Sequence, residues 1–288
     1  MRGRRIVVSL AAAVAVGVLA LALADRPAPA AHPTGQVPIA QNALQMRDFP
    51  VPVPLPHHRF HGPRLRTAVP VLMYHAIGVP PVGAPYPELF VSRPIFAAQM
   101  SALATAGYHP VTLDQVWAAW HGRAPLPEKP IVLTFDDGYR GDYGAAMPIL
   151  HRRGWPAVLD LLVANLHRRG WGLKTWMVTR MVRDGWEIAS HTLTHPDLTT
   201  VTAGQLQREV GRARVVLQRL FHVPVNFFCY PAGAFDATVI AAVRRAGYLD
   251  ATTELPGDAR PSQRFTLHRI RVDGGEPPAA LLASLTPS

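Results

Sequence analysis

The stretch Pro130–Tyr139, PIVLTFDDGY, decides the reading of the fold. A short apolar, β-prone run from Ile131 to Phe135 stops at two adjacent acids and a glycine. Such a run, bounded by turn residues, reads as a buried strand of a parallel sheet. Two like charges at its end call for either a solvent-exposed loop or a cation. Asp136 and Asp137 would point opposite ways within a strand, but Gly138 eases a sharp turn, so both carboxylates can reach one site.

Similar runs lie on both sides: VPVLMYH from Val69, PAVLDLLV from Pro156, WEIAS from Trp186, PVNFFCY from Pro224 and YLDATT from Tyr248. Amphipathic segments with helix start and stop signals alternate with them. Ser92 caps a segment with Pro94 in its first turn and Phe96, Met100 and Leu103 on one face, ending at Gly107. Thr112 opens another, with Leu113, Val116, Trp117 and Trp120 at helical spacing. Thr202 and Gln205 have capping-box spacing before Leu206, Val210, Leu217 and Leu220, and Asp236 caps a last helix that ends near Gly247. Alternating strands and helices imply parallel pairing with the helices outside, an α/β class. Fewer than eight strand–helix units are present, so the expected fold is a distorted or shortened (β/α) barrel. The hexapeptide LHRRGW occurs at Leu150–Trp155 and again at Leu166–Trp171. Both copies read as a basic last helical turn with glycine beyond it.

The chain of 288 residues is long enough for a sizeable core. Residues 1–24 read as a signal peptide or signal anchor, with Arg2, Arg4 and Arg5 before an apolar stretch and Ala22-Leu23-Ala24 as a cleavage site. Export to the cell envelope or medium is expected, with a membrane tether through residues 6–24 if they stay uncleaved. Residues 25–67 form a Pro/Ala-rich linker, whose His57, His58 and His61 read as solvated, and residues 68–288 are the catalytic domain. Cys229 is the single cysteine, so no intramolecular disulfide can form. The net charge of +10 comes from scattered arginines with no basic stripe interleaved with aromatics, so nucleic acid is not an expected partner.

The second chemical feature is WEIASHTLTHPDL, Trp186–Leu198, where a strand-like run ends in His191 and His195. If this segment turns helically, the spacing puts both imidazoles on one face, as a divalent metal requires. In a parallel barrel the carboxyl ends of the strands share a rim, so the histidines and the acids converge there. Two imidazoles and one carboxylate make a three-ligand set with open positions, and a second carboxylate can then take a proton from water. That constellation suits hydrolysis of an amide or ester.

TFDDG and HTLTHPDL, in this order and separation, resemble the first two motifs of the polysaccharide deacetylase family, the NodB-homology domains of carbohydrate esterase family four. The resemblance runs from Val69 to Val272 and includes VPVLMYHAI, FCYPAG and LHRIRV. It implies Asp136 as catalytic base, Asp137, His191 and His195 as ligands of a divalent metal ion, zinc by preference, and substrate or oxyanion contacts at Tyr230, Pro231 and Ala232. Two departures stand out. Where the family's third motif often holds an arginine that orients the base, this chain has Cys229, so that contact is expected to be lost. His268 is one residue out of place for the family's acid, and a one-residue slip in a strand reverses the face. The branch that acts on poly-N-acetylglucosamine shares the early MYH and late LxRI, which implies His75 as general acid in place of His268. Tyr74, Tyr139 and Tyr230 flank the motifs and read as barrel packing, with stacking on sugar rings as the alternative. The expected activity is removal of N-acetyl groups from an acetylated polysaccharide such as poly-N-acetylglucosamine, peptidoglycan or a chitin-like polymer. An O-acetyl esterase, or a carbohydrate-binding envelope protein with impaired turnover, are the alternatives.

Overall fold

The computed structural model describes residues 66–285. The expected signal segment, most of the expected linker and its histidines lie outside them. The described residues form ten strands: β1 Val71–Tyr74, β2 Ala76–Ile77, β3 Phe90–Val91, β4 His109–Val111, β5 Pro130–Asp136, β6 Val158–Leu161, β7 Glu187–Ser190, β8 Phe227–Cys229, β9 Asp250–Pro256 and β10 Leu267–Arg271. All strand pairings are parallel, and the main sheet runs β1-β10-β9-β8-β7-β6-β5-β4. Because β1 pairs with β5 as well as β10, this sheet closes on itself as a barrel of seven strands, the shortened form expected. β5 gives its lower edge to β4, with Pro130 opposite His109, and its upper edge to β1, with Phe135 opposite Tyr74. The eighth strand is thus a three-residue remnant below the seam.

The helices are α1 Arg93–Thr105, α2 Leu113–Trp120, α3 Met147–His151, α4 Thr175–Arg183, α5 Ala203–Gln207, α6 Ala213–Phe221, α7 Ala237–Arg245 and α8 Pro278–Ser284. Local chemistry sets their starts. Thr112 and Gln115 exchange hydrogen bonds as a capping box at α2, and Thr202 and Gln205 do so at α5. Asp236 accepts from Val239 N at 2.8 Å to start α7. α5 and α6 are joined by a wider π-helical turn, Arg208–Arg212. Leu206, Val210 and Leu217 face inward as expected, but Leu220 is 42% exposed, because Phe221, four residues after Leu217, takes the inward position. The second LHRRGW also departs from expectation. It follows a 3₁₀ turn, Val163–Asn165, and forms a loop with His167 at φ 66°, whereas the first copy does close a helix, α3.

Period-two alternation divides the core. Ile131, Leu133, Phe135, Leu159 and Leu161 pack outward under the helices; Phe135 lies 5.4 Å from Tyr74 and 5.1 Å from Trp186. Val71, Val132, Val158, Ala189, Phe227 and Leu267 form a separate cluster that fills the lower barrel. Along the same inward faces, Thr134, Asp136, Asp160, Cys229 and Arg269 follow toward the carboxyl ends, and each is at most 1% exposed. The barrel is therefore apolar below and polar above. No helix among the described residues is long and apolar enough to cross a membrane.

Candidate active site

β5 ends at Asp136, and the backbone then takes two left-handed residues, Asp137 at φ 71° and Gly138 at φ 78°. A non-glycine residue in that region is uncommon and costs on the order of 1 kcal/mol or more. Gly138 takes its left-handed φ without the strain a side chain would bring, and a Cβ there would also press on Leu161 Cδ2 at 2.9 Å. This turn brings both carboxylates of the pair to the rim.

His191 and His195 follow β7. The loop between them is not helical: Thr192 is at φ 72°, His195 at φ 62°, and His195 N donates to Thr192 Oγ1 at 2.9 Å. The two imidazoles converge through this tight turn, with ring centroids 4.7 Å apart. Glu209 of the π-helical segment holds the loop from behind, accepting from Leu193 N and Thr194 N at 2.9 Å each and from Thr194 Oγ1 at 2.7 Å.

Asp137 Oδ1 lies 3.9 Å from His191 Nε2 and 3.9 Å from His195 Nε2, and the three donor atoms lie within 4.8 Å of one another. Two donors each about 2.1 Å from one ion can be at most about 4.2 Å apart, so both Asp137–histidine pairs fit a shared zinc-sized cation. His191 Nδ1 donates to Cys229 O at 2.9 Å, which fixes the tautomer and leaves Nε2 free to ligate. A second cluster, Asp136, His191 and Cys229, is equally compact, but the guanidinium of Arg269 lies 2.7 Å from Asp136 and 3.2 Å from Cys229 Sγ. A cation there would face that charge. Of the two clusters, the donor set fits a metal at Asp137.

Arg269 is the residue that the sequence reading missed. The loss of an arginine at Cys229 had implied an unsupported base, yet Arg269 Nη1 donates to Asp136 Oδ1 at 2.7 Å and Nη2 to Oδ2 at 2.8 Å, a two-pronged grip from β10. Cys229 leaves space beside Asp136, its Sγ 3.7 Å from Oδ2, and the guanidinium enters from the next strand but one. Arg269 is itself fixed by Thr253 O at 2.8 Å, Thr134 Oγ1 at 3.0 Å and Asp160 Oδ2 at 3.3 Å. Burial alone would push Asp136 up; the charges of Arg269 and His75 outweigh it and hold the carboxyl well below the usual range. Asp160 goes the other way, pushed well up by burial and then by the charge of Asp136.

His75, at the end of β1, is 8% exposed with Nε2 3.9 Å from Asp136 Oδ2. Burial lowers its pKa, while Asp136 and Asp137 pull it back up. His268 is half-buried on the opposite face of β10 from Arg269, so the one-residue slip does turn it away from the barrel interior. Tyr230 cannot contact a substrate through its side chain or its N–H: the ring is fully buried, the hydroxyl donates to Phe265 O at 3.0 Å and the N–H to Thr252 O at 3.2 Å. Pro231 is buried and has no N–H. Ala232 is exposed and left-handed at φ 50°, which leaves its N–H as the backbone donor of this motif. Tyr74 is buried packing, as expected, and hydrogen-bonds Gln99 at 3.0 Å.

The fold and the rim together define a class: a shortened parallel barrel with a clamped acid beside an aspartate and two histidines at the carboxyl ends of its strands. Residues 123–250 match the family model described as polysaccharide deacetylase. Streptococcus pyogenes deacetylase PplD, solved with acetate, superposes with a TM-score of 0.72 at 26% identity over 77% of this chain and 100% of that one. BC0361, a polysaccharide deacetylase from Bacillus cereus, gives 0.68 at 29% identity over 77% of this chain and 70% of that one. The poly-beta-1,6-N-acetyl-D-glucosamine N-deacetylase of Escherichia coli K12 is 33% identical over 180 residues, 61% of this chain and 23% of that longer protein. Residues 123–250 thus carry a polysaccharide deacetylase domain, and the wider chain is similar to deacetylases, which are hydrolases.

Proposed function

We propose that this protein is an exported, metal-dependent deacetylase that removes N-acetyl groups from a polysaccharide containing N-acetylglucosamine. The observation that carries the reading is the pairing of Asp137, His191 and His195, with donor atoms within 4.8 Å, beside an Asp136 gripped at both oxygens by Arg269. A divalent ion held by those three residues, zinc by donor type, supplies Lewis acidity that polarises an acetyl carbonyl and acidifies a water.

The chain's own residues do the rest. Asp136 takes the proton of the attacking water, and Arg269 keeps its carboxylate aimed and ionised. The Ala232 N–H donates to the oxygen that gains charge. His75 returns a proton to the departing amine nitrogen. Its Nε2 stands 3.9 Å from the Asp136 oxygen, so the group that collects the proton and the group that delivers one are neighbours. The test is acetate release from β-1,6-poly-N-acetylglucosamine, peptidoglycan and chitin oligomers with zinc supplied, then after chelation. Release that stops on chelation and returns with metal is expected; no release from any of the three overturns the proposal.

A second reading has one observation in its favour. Burial pushes the His75 imidazole down, and an ester, whose leaving group is better than an amine, depends less on a protonated imidazole. O-acetyl hydrolysis on acetylated xylan is that reading, and relative rates on the two polymers decide between them.

A further inference from the structure

The second LHRRGW begins a run in which cations and indoles alternate. Between His167 and Arg183 stand Arg168, Arg169, Lys174, Arg180 and Arg183, with Trp171 and Trp176 among them and no acidic residue. The fold gathers much of this run onto one face. His167, Trp176, Arg180 and Arg183, with Tyr143 opposite, line an open groove of about 800 Å³ between α4 and the π-helical segment Asp142–Ala146. Trp176 is 56% exposed and sets its ring edge-on to Tyr143 at 5.2 Å. His167 is held at the groove's head by Thr175 Oγ1, 2.7 Å from Nε2. The side chain of Arg180 is 57% exposed and 4.0 Å from Asp184, whose carboxylate is engaged by His151 Nδ1 at 2.8 Å.

The groove is tied to the catalytic rim. Asn165 Nδ2 donates to Asp137 O at 3.2 Å, Leu173 N to Gly138 O at 3.1 Å, and Arg140 N to Trp171 O. Trp171 is 36% exposed and lies 5.1 Å from the ring of Tyr139, the residue after the DDG turn. A polymer leaving the rim over Tyr139 and Trp171 has this loop as its path to Trp176.

We propose that this groove is an extended subsite for an acidic polysaccharide, one whose repeating units carry carboxylate or phosphate groups. Indole and phenol faces take the apolar faces of sugar rings, and exposed guanidinium groups take carboxylate or phosphate through paired hydrogen bonds. The same chemistry would suit a nucleic acid, but continuity with a polysaccharide deacetylase rim favours the glycan. The inference rests on the deacetylase reading and narrows its substrate class. It also amends the expectation from sequence that the arginines form no basic, aromatic-bearing surface.

The test uses the full chain and three probes: a hyaluronan oligosaccharide as the acidic glycan, a chitin hexamer as the neutral one, and a DNA duplex. Titration calorimetry at low ionic strength is expected to show hyaluronan binding that weakens as salt rises. The double variant Arg180→Glu/Arg183→Glu should bind it about tenfold less tightly, about 1.4 kcal/mol. Trp176→Ala should also weaken it, and Arg180→Lys/Arg183→Lys should retain most of it. Circular dichroism and melting temperature verify that every variant is folded, and binding of the chitin hexamer should be insensitive to salt and to the arginine substitutions. Hyaluronan that fails to bind at low salt, or binds the double Glu variant equally well, overturns the proposal. So does DNA binding with the same variant sensitivity when hyaluronan is ignored. Variant-sensitive hyaluronan binding by a protein that releases no acetate from any substrate supports the groove and counts against the deacetylase reading alone.

Discussion

Arg269 and Asp136 meet through two hydrogen bonds of 2.7 and 2.8 Å in a chamber where both residues are at most 1% exposed. The pair joins the last strand of the barrel to the strand that opens the site. Its arginine comes from LHRIRV and not from the motif in which the family often carries it. Truncation and conservative replacement of Arg269 should therefore fail differently.

Arg269→Met leaves Asp136 as an uncompensated buried charge and should cost about 3–5 kcal/mol of stability, read as a lower urea midpoint. Arg269→Lys keeps the charge but not the fork. It should fold, with kcat lowered about a hundredfold and KM little changed. Equal kcat in wild type and the lysine variant would show that orientation of Asp136 is unimportant.

His75→Asn should separate the two bonds this site can hydrolyse. Acetamide cleavage should fall by about a hundredfold or more, the usual worth of a positioned acid. Ester cleavage, measured on an O-acetylated xylan oligomer, should fall by much less. Parallel losses on both substrates would remove His75 as proton donor to the amine.

Glu209 should control metal retention from outside the ligand set. Its carboxylate accepts three hydrogen bonds from Leu193 and Thr194, inside the turn that carries both histidines. Glu209→Ala is expected to lose about 10–100-fold in zinc affinity, by competition with a chromogenic chelator. Activity per bound ion should hardly move. Unchanged affinity would sink the idea.

Glu187 should make stability depend on pH. Burial and then the charge of Asp114 push its carboxyl from the usual 4.5 up to about 8, against hydrogen bonds from the start of α2. The folded chain holds this proton more tightly than the unfolded chain. The contribution is therefore complete below about pH 4.5 and is lost as pH rises through about 8. Melting temperature should decline across that window, and Glu187→Gln should flatten the decline. An identical slope in the variant would refute the assignment.

The strands that build the rim were legible because their apolar runs stop abruptly at turn residues, and β5 through β9 fall where such runs occur. β4 was not, since His109-Pro110-Val111 is too short and too mixed to show a period. The helical route to a histidine pair failed for a different reason. Thr192 and His195 take left-handed backbone, which no residue type other than glycine announces. Arg269 left a usable trace: Leu267 and Arg269 share a face of one strand, so an apolar inward Leu267 puts the guanidinium inside the barrel. Glu209 left none, because it reaches the histidine turn from a different element, 16 and 15 positions further along the chain than the residues it holds.

The division of the barrel into an apolar floor and a polar ceiling has a consequence for proton traffic. Val71, Val132, Val158, Ala189, Phe227 and Leu267 seal the chamber from beneath, so Asp136 and Asp160 exchange protons with solvent by way of the mouth. A sugar chain lying across that mouth would turn the chamber into a sealed vessel. For the length of a turnover its proton inventory would then be fixed, and the proton gained by Asp136 would have the departing nitrogen as its destination.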